Sequence, residues 1–290
     1  VSKNDRRWQE SPVEHLRVDT GFSLLDFDAS STPGFAGDEK DGEKLMRERG
    51  SALADLQEML YAQGRADIRR SVLLVLQGMD TAGKGGIVRH VMGMVDPQGV
   101  ENASFGVPTE EERSHHYLWR IEKRLPSAGR IGVFDRSHYE DVLVVRVRNL
   151  VPPEVWGARY DEINEWEQQV TASGTTIIKC AMVVSKEEQL NRIEQRLHRP
   201  DKYWKYNPGD LDEREHWDAY VEAYQAVFDK TSTATAPWHV IPADNKWYAR
   251  LAVTEILTQH FESLDLTWPP ADFDVEAERA RVQDLRKSGG

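Results

Sequence analysis

The segment Gly78-Met79-Asp80-Thr81-Ala82-Gly83-Lys84-Gly85 constrains this chain more than any other, because it spells the phosphate-binding loop G-x-x-x-x-G-K. It follows Ser71-Val72-Leu73-Leu74-Val75-Leu76, an apolar run of strand length, and precedes a stretch from Ile87 to Met94 that reads as a helix. A strand–loop–helix setting is what such a loop requires. Glycine lets backbone N–H groups turn inward onto phosphate oxygens, and the helix that follows presents the positive end of its dipole. Gly78, Gly83 and Gly85 are therefore expected at the bound anion, with the Lys84 ammonium reaching its phosphates. Two positions depart from the common form. Gly85 stands where a Ser or Thr normally helps to hold Mg²⁺, and Asp80, inside the loop, is the candidate that replaces that hydroxyl.

Strand-like and helical segments alternate along the rest of the chain. Arg130 to Asp135, Thr176 to Val184 and Trp238 to Asp244 read as further buried strands, and Ser104 to Pro108 as a short strand or extended loop. Glu43 to Gln63, Glu110 to Leu125 and Lys246 to Phe261 read as helices. The pattern predicts an α/β fold, a parallel sheet covered by helices on both faces, with ligands bound beyond the carboxyl ends of its strands. The loop, Asp135 and Asp244 all fall at such ends. Residues 1–42 are polar and turn-rich and read as an extension that wraps the domain; residues 43–262 form the domain, and 263–290 a C-terminal tail.

Asp135 closes an apolar strand, where P-loop proteins place the acid that holds Mg²⁺. In Asp135-Arg136-Ser137-His138-Tyr139-Glu140-Asp141, Arg136 is placed to contact the transferring phosphates and Glu140 to orient the nucleotide or its metal. His138 and Tyr139 read as packing residues. Further on, Arg192, Arg196 and Arg199 are spaced four and three apart, one face of a helix. Three like charges on one face point to a lid, at about residues 190–212, whose guanidiniums close over phosphates, with Lys202 and Lys205 extending the basic surface.

The net charge of −12 argues against a protein that coats nucleic acid, yet the cations gather mid-chain and the acids at the ends, so a basic cleft on an acidic body is expected. No stretch approaches the roughly 20 apolar residues of a membrane span. Cys180 is the single cysteine and lies in an apolar strand, so it reads as a core residue, and a cytoplasmic location is expected.

The loop, the Phe134-Asp135-Arg136-Ser137-His138-Tyr139-Glu140 segment, the Arg192…Arg196…Lys202-Tyr203-Trp204-Lys205 lid and the closing Val240-Ile241-Pro242-Ala243-Asp244-Asn245-Lys246 together resemble the polyphosphate kinase 2 family, over about Glu43 to Phe261. One departure is Arg199-Pro200-Asp201, where the family's lid commonly has an aspartate before the proline. The resemblance implies a three-layer α/β/α P-loop kinase fold with a helical lid, similar to thymidylate kinase. It also implies phosphoryl transfer between inorganic polyphosphate and a nucleoside mono- or diphosphate. Asp80 and Asp135 would then hold Mg²⁺, and Lys84, Arg136, Arg192 and Arg196 would neutralise the moving charge. Polyphosphate would lie along Lys84, Arg89, Arg192, Arg196, Lys202 and Lys205, and the assembly would be a homodimer or homotetramer. The competing readings are an ATP-dependent nucleoside monophosphate kinase on the same fold and a non-catalytic nucleotide switch. Asp244-Asn245-Lys246 is not a guanine-reading motif, which disfavours the switch.

Overall fold

Largely apolar runs rich in Val, Ile and Leu suit strands buried on both faces, the environment of a parallel sheet. Four such runs form β1 (Ser71–Gln77), β3 (Ile131–Asp135), β4 (Thr175–Val183) and β5 (Trp238–Pro242) in the computed structural model of the chain. The structure describes residues 7–288; residues 1–6 of the expected extension and 289–290 of the tail lie outside them. The fifth strand, β2 (Val100–Ser104), precedes the segment expected to be extended. It is an edge strand, paired through β3 from Val100↔Ile131 to Ser104↔Asp135, and its Val-Glu-Asn-Ala-Ser sequence is half exposed, so no apolar run marks it. The order is β2-β3-β1-β4-β5, every pairing parallel.

Helices cover both faces. The longer ones are α1 (Glu39–Arg65), α2 (Lys84–His90), α3 (Pro153–Ala172), α4 (Lys186–Leu197), α5 (Trp217–Thr231), α6 (Lys246–Glu262) and α7 (Val275–Ser288). On one face Leu53 and Leu60 of α1, Ile87 of α2 and Leu251 and Ile256 of α6 pack against Leu74, Leu76 and Ile178. On the other, Ile163 and Trp166 of α3 and Val227 and Phe228 of α5 pack against Leu73, Val75 and Trp238. Each fully buried side chain of this kind contributes about 1.5–3 kcal/mol, so the two clusters fix three layers around the sheet. Cys180 is wholly buried in the first.

The helix expected over Glu110 to Leu125 is two single turns, Glu110–Arg113 and Trp119–Glu122. A capping box between Thr109 and Glu112 starts the first, and the Ser114 N–H closes it on the carbonyls of Glu110 and Glu111. The second is tethered by Arg120, buried, which donates to the Gly106 carbonyl at 2.9 Å. The loop helix is also shorter than expected: α2 ends at His90 and a 3-10 turn spans Met92–Met94. The N-terminal segment runs along the free edge of β5, where the Val18 N–H donates to the Trp238 carbonyl and the Val240 N–H to the Leu16 carbonyl, both at 2.8 Å. That pairing covers a sheet edge that would otherwise be open.

Candidate active site

All five strands point the same way, so the loops after β1, β3, β4 and β5 meet at one end of the sheet. The loop after β1 is held in a conformation only its glycines allow. Gly78 has φ 150°, and a Cβ there would lie 2.5 Å from the Met182 carbonyl oxygen; Gly83, at φ 112°, caps α2. A Cβ at Gly85 or Gly86 would meet nothing within 4 Å, because these positions border open space. At the site, Thr81 (φ 65°) and Arg136 (φ 64°), which carry side chains, also take left-handed backbone. Strain of this sort persists where surrounding structure imposes it, commonly at functional sites.

Asp80, Lys84, Asp135, Arg136, Arg196 and Lys205 line one cavity of about 460 Å³, together with Gly83 and Gly85. The Arg136 guanidinium lies 2.8 Å from Asp80 Oδ1 and 3.7 Å from Glu140 Oε2, and Gln77 Nε2 donates to Glu140 Oε1 at 3.2 Å. Lys84 Nζ donates to the Gly78 carbonyl at 2.6 Å, folded onto the loop it serves. Burial pushes the Lys84 pKa below the usual lysine range, against the pull of Asp135. Burial likewise raises the Glu140 carboxyl, opposed by Arg136 and Lys84. Among the described residues no group of three or more His, Cys, Asp and Glu side chains forms a ready-made metal cage. Two carboxylates on an open cavity are the donor set that Mg²⁺ uses, since it retains waters and takes further oxygens from phosphates.

Two further cavities join this one at the loop. A channel of about 300 Å³ is lined by Arg89, Arg192, Arg196, Arg199, Lys202, Lys205, Lys246 and Arg250, with His90, and no carboxylate and no Phe, Tyr or Trp is among its described lining residues. On the other side, a pocket of about 320 Å³ is walled by Asp80, Arg136, Glu140, Trp217, Tyr220 and Tyr224. Thr81 and Gly83 line both the channel and the central cavity, and Asp80 both the central cavity and the aromatic pocket.

The sequence-derived site residues thus divide by place. Gly78 and Glu140 face the aromatic pocket, Arg89, Arg192 and Lys202 the channel, and the remainder the central cavity. Arg192 is buried, and its five N–H groups go to Glu188 Oε1 and to the carbonyls of Thr81, Ala82, Ala243 and Asp244, at 2.5 to 3.3 Å. Arg196 reaches Asp210 and the Lys205 carbonyl, both at 3.0 Å. Arg199 does not share the helix face of Arg192 and Arg196. It precedes Pro200, whose ring disfavours helical backbone in the residue before it, so α4 ends at Leu197 and Arg199 is extended (φ −120°, ψ 108°). There it pairs with Asp201 at 2.9 Å, and Arg199 and Lys202 hold that carboxyl below the usual carboxylate range. His138 is buried and bonded away from the cavity. Lys246 and Arg250 were missed as channel residues, although their four-residue spacing on the helix after β5 was the available signal. Trp217, Tyr220 and Tyr224 were missed because α5 carries no local motif.

The sequence profile of the family described as Polyphosphate kinase 2 (PPK2) matches residues 36–267. An AMP/ADP-polyphosphate phosphotransferase of Meiothermus ruber is 46% identical over 254 residues, 88% of this chain and 94% of that protein. An ADP-polyphosphate phosphotransferase of Rhodopseudomonas palustris is 42% identical over 84% of this chain and 86% of its own length. The crystal structure of polyphosphate kinase 2 from Arthrobacter aurescens superposes with a TM-score of 0.93 at 52% identity, covering 96% of this chain and 98% of that one. Among the described residues no helix is long and apolar enough to cross a membrane. The sheet order, the loop and the family match agree, and the chain belongs to the polyphosphate kinase 2 family, P-loop kinases that transfer phosphoryl groups between polyphosphate and nucleotides.

Proposed function

We propose that the chain transfers a phosphoryl group between inorganic polyphosphate in the cationic channel and AMP or ADP in the aromatic pocket, across the cavity at Asp80 and Lys84. One observation carries the donor assignment. The channel holds eight Arg and Lys side chains and, among its described lining, no carboxylate and no Phe, Tyr or Trp, which suits a repeating polyanion and offers a purine nothing to stack on. The opposite pocket has three aromatic side chains, Trp217, Tyr220 and Tyr224, with Arg136 and Glu140 at its cavity end, which suits a nucleoside with its phosphates toward Arg136.

Positioning and charge neutralisation carry this chemistry. Lys84, Arg136 and Arg196 surround the cavity in which charge moves from attacking to leaving oxygen. Arg192 acts on the same step by holding the carbonyls of Thr81 and Ala82 so that the loop's N–H groups keep facing the phosphates. Arg89, Lys202, Lys205, Lys246 and Arg250 bind the remainder of the chain along the channel. Asp80 and Asp135 would hold the metal, which we take to be Mg²⁺ and which would supply charge neutralisation at the phosphates. Asp80 meets Arg136 through Oδ1 alone, so its second carboxylate oxygen would be the one offered to metal while the pair keeps the guanidinium beside the cavity.

Asp135→Asn keeps the shape of the side chain and removes its charge. It is expected to lower polyphosphate-dependent ATP formation by about 10²–10³-fold. Activity within a few-fold of the parent would rule the role out. The acceptor range is read from initial rates with AMP, ADP, GMP and GDP against one polyphosphate stock. A cytoplasmic location and a homodimer or homotetramer accompany this reading; light scattering coupled to size exclusion tests the assembly.

A further inference from the structure

Directly behind the turn that carries Arg136 and Glu140 lies a group of buried ionisable side chains with no contact to the cavities. Lys179 on β4 and Glu167 on α3 are 0% and 2% exposed, and Lys179 Nζ lies 2.7 Å from Glu167 Oε2. Lys179 also donates to Tyr139 Oη at 2.8 Å and to the Thr231 carbonyl at 2.7 Å, which uses all three of its N–H groups. Glu167 Oε1 accepts the Tyr139 hydroxyl at 2.7 Å and lies 3.2 Å from His138 Nε2. The ring of Tyr139 packs edge-on against Trp238 of β5, and His138 against Trp166 of α3. One four-residue cluster therefore joins α3, β4 and the start of the loop after β3.

A buried ion pair is a poor source of stability, because replacing both partners by apolar groups of similar volume is often neutral or stabilising. What the cluster does supply is a fixed place for two consecutive residues. His138 and Tyr139 lie between Arg136 and Glu140, so anchoring them from behind leaves the flanking pair turned toward the cavity. Arg136 is there in left-handed backbone, with its N–H on the Leu76 carbonyl at 3.0 Å and its guanidinium on Asp80. The turn is short, and besides this cluster it is held by Arg159, which donates to the Asp141 carbonyl at 3.0 Å, and by Gln77 on Glu140. Ser137 accepts from the Tyr139 N–H at 3.2 Å, and a 3-10 turn spans His138–Asp141.

We propose that Lys179, Glu167, Tyr139 and His138 are positioning residues for phosphoryl transfer, a buried anchor that sets where Arg136 and Glu140 stand. This rests on the transfer role given above to Arg136 and Glu140. A displacement of about 1 Å at a reacting centre lowers turnover by up to about 10²-fold, so loosening the anchor is expected to act on kcat. The cationic channel shares no residue with the turn, so the KM for polyphosphate is expected to stay within about twofold of the parent.

The test uses two variants and thermal unfolding beside steady-state kinetics. Lys179→Met combined with Glu167→Met removes both charges together but leaves the buried Tyr139 hydroxyl and His138 Nε2 without these partners, so it is expected to unfold roughly 5–15 °C below the parent. Its kcat is expected to fall by roughly 10²-fold. Tyr139→Phe deletes one hydroxyl and leaves the Lys179–Glu167 pair; it is expected to fold as the parent does and lose roughly tenfold in kcat. If the double variant does not fold, Tyr139→Phe decides alone. Parental kcat in the folded variants, or a loss of stability with kcat unchanged, overturns the proposal. Arg136→Ala separates the two layers of the argument: parental turnover in that variant would sink the transfer role itself. An inactive Arg136→Ala beside fully active cluster variants would sink only the anchor.

Discussion

Arg192 and Arg196 are four residues apart on one helix, and the structure assigns them different work. The Arg192 guanidinium is 6% exposed and ties the phosphate loop, through the Thr81 and Ala82 carbonyls, to the segment after β5, through those of Ala243 and Asp244. Arg192→Ala removes every one of these donors. A hydrogen bond from a charged donor contributes about 1.5–3 kcal/mol, but the freed carbonyls border a channel that water can enter, so the four do not add in full. The expected cost is about 2–4 kcal/mol. At about 2–4 °C per kcal/mol for a domain of this size, the melting temperature falls by roughly 5–15 °C. Arg196→Ala gives up an ion pair with Asp210 and one carbonyl contact at a partly exposed position, which costs under about 1 kcal/mol. Differential scanning fluorimetry of both variants beside the parent, with turnover measured well below the melting range, separates the two. Both variants are expected to lose turnover and Arg192→Ala alone to lose stability. Equal melting temperatures would refute the reasoning that makes Arg192 a tie for the loop.

Lys246 and Arg250 line the channel but not the central cavity with Asp135, so Lys246→Ala and Arg250→Ala are each expected to raise the KM for long-chain polyphosphate and to reduce its dependence on salt, with kcat little changed; kinetics at two ionic strengths check this. His239 is buried beside His260, and burial first, then that neighbour, depresses its pKa to about 4. Its folded pKa lies below the ordinary value near 6.5, so stability is lost as pH falls from about 6.5 to about 4, at up to about 1.4 kcal/mol per unit. Thermal melts across that range are expected to show a shallower pH dependence in His239→Leu than in the parent, and identical slopes would exclude the assignment. Removing divalent metal with a chelator is expected to abolish transfer while the fold persists, read as lost turnover with an unchanged circular dichroism spectrum.

The parts of the fold written in local signals were legible in the sequence. The loop glycines, the apolar strands β1, β3, β4 and β5, and Asp135 at a strand end each follow from residues within a few positions of one another. Elements whose character depends on distant partners were not. Strand β2 is polar because it pairs on one side alone, and α3 and α5 bury Tyr, Trp and Ala faces without a motif to announce them. The helix expected through Arg199 ended early for a local reason that was available, the proline at 200. The site divided likewise. Asp80, Lys84, Asp135 and Arg136 carry local signals and line one cavity, whereas Trp217, Tyr220 and Tyr224 line the aromatic pocket and Arg250 the channel only through the tertiary fold. That Arg192 and Arg196 differ in partners was beyond any reading of spacing, since both positions share one helix face.

The proposed donor in the cationic channel is polyphosphate. Phosphorus NMR of the purified protein with ADP, Mg²⁺ and long-chain polyphosphate as the sole donor tests it most directly. The three resonances of ATP are expected to grow as ADP is consumed, and AMP in place of ADP is expected to yield ADP. Unchanged nucleotide spectra with polyphosphate, beside turnover when ATP is offered to AMP, would contradict it.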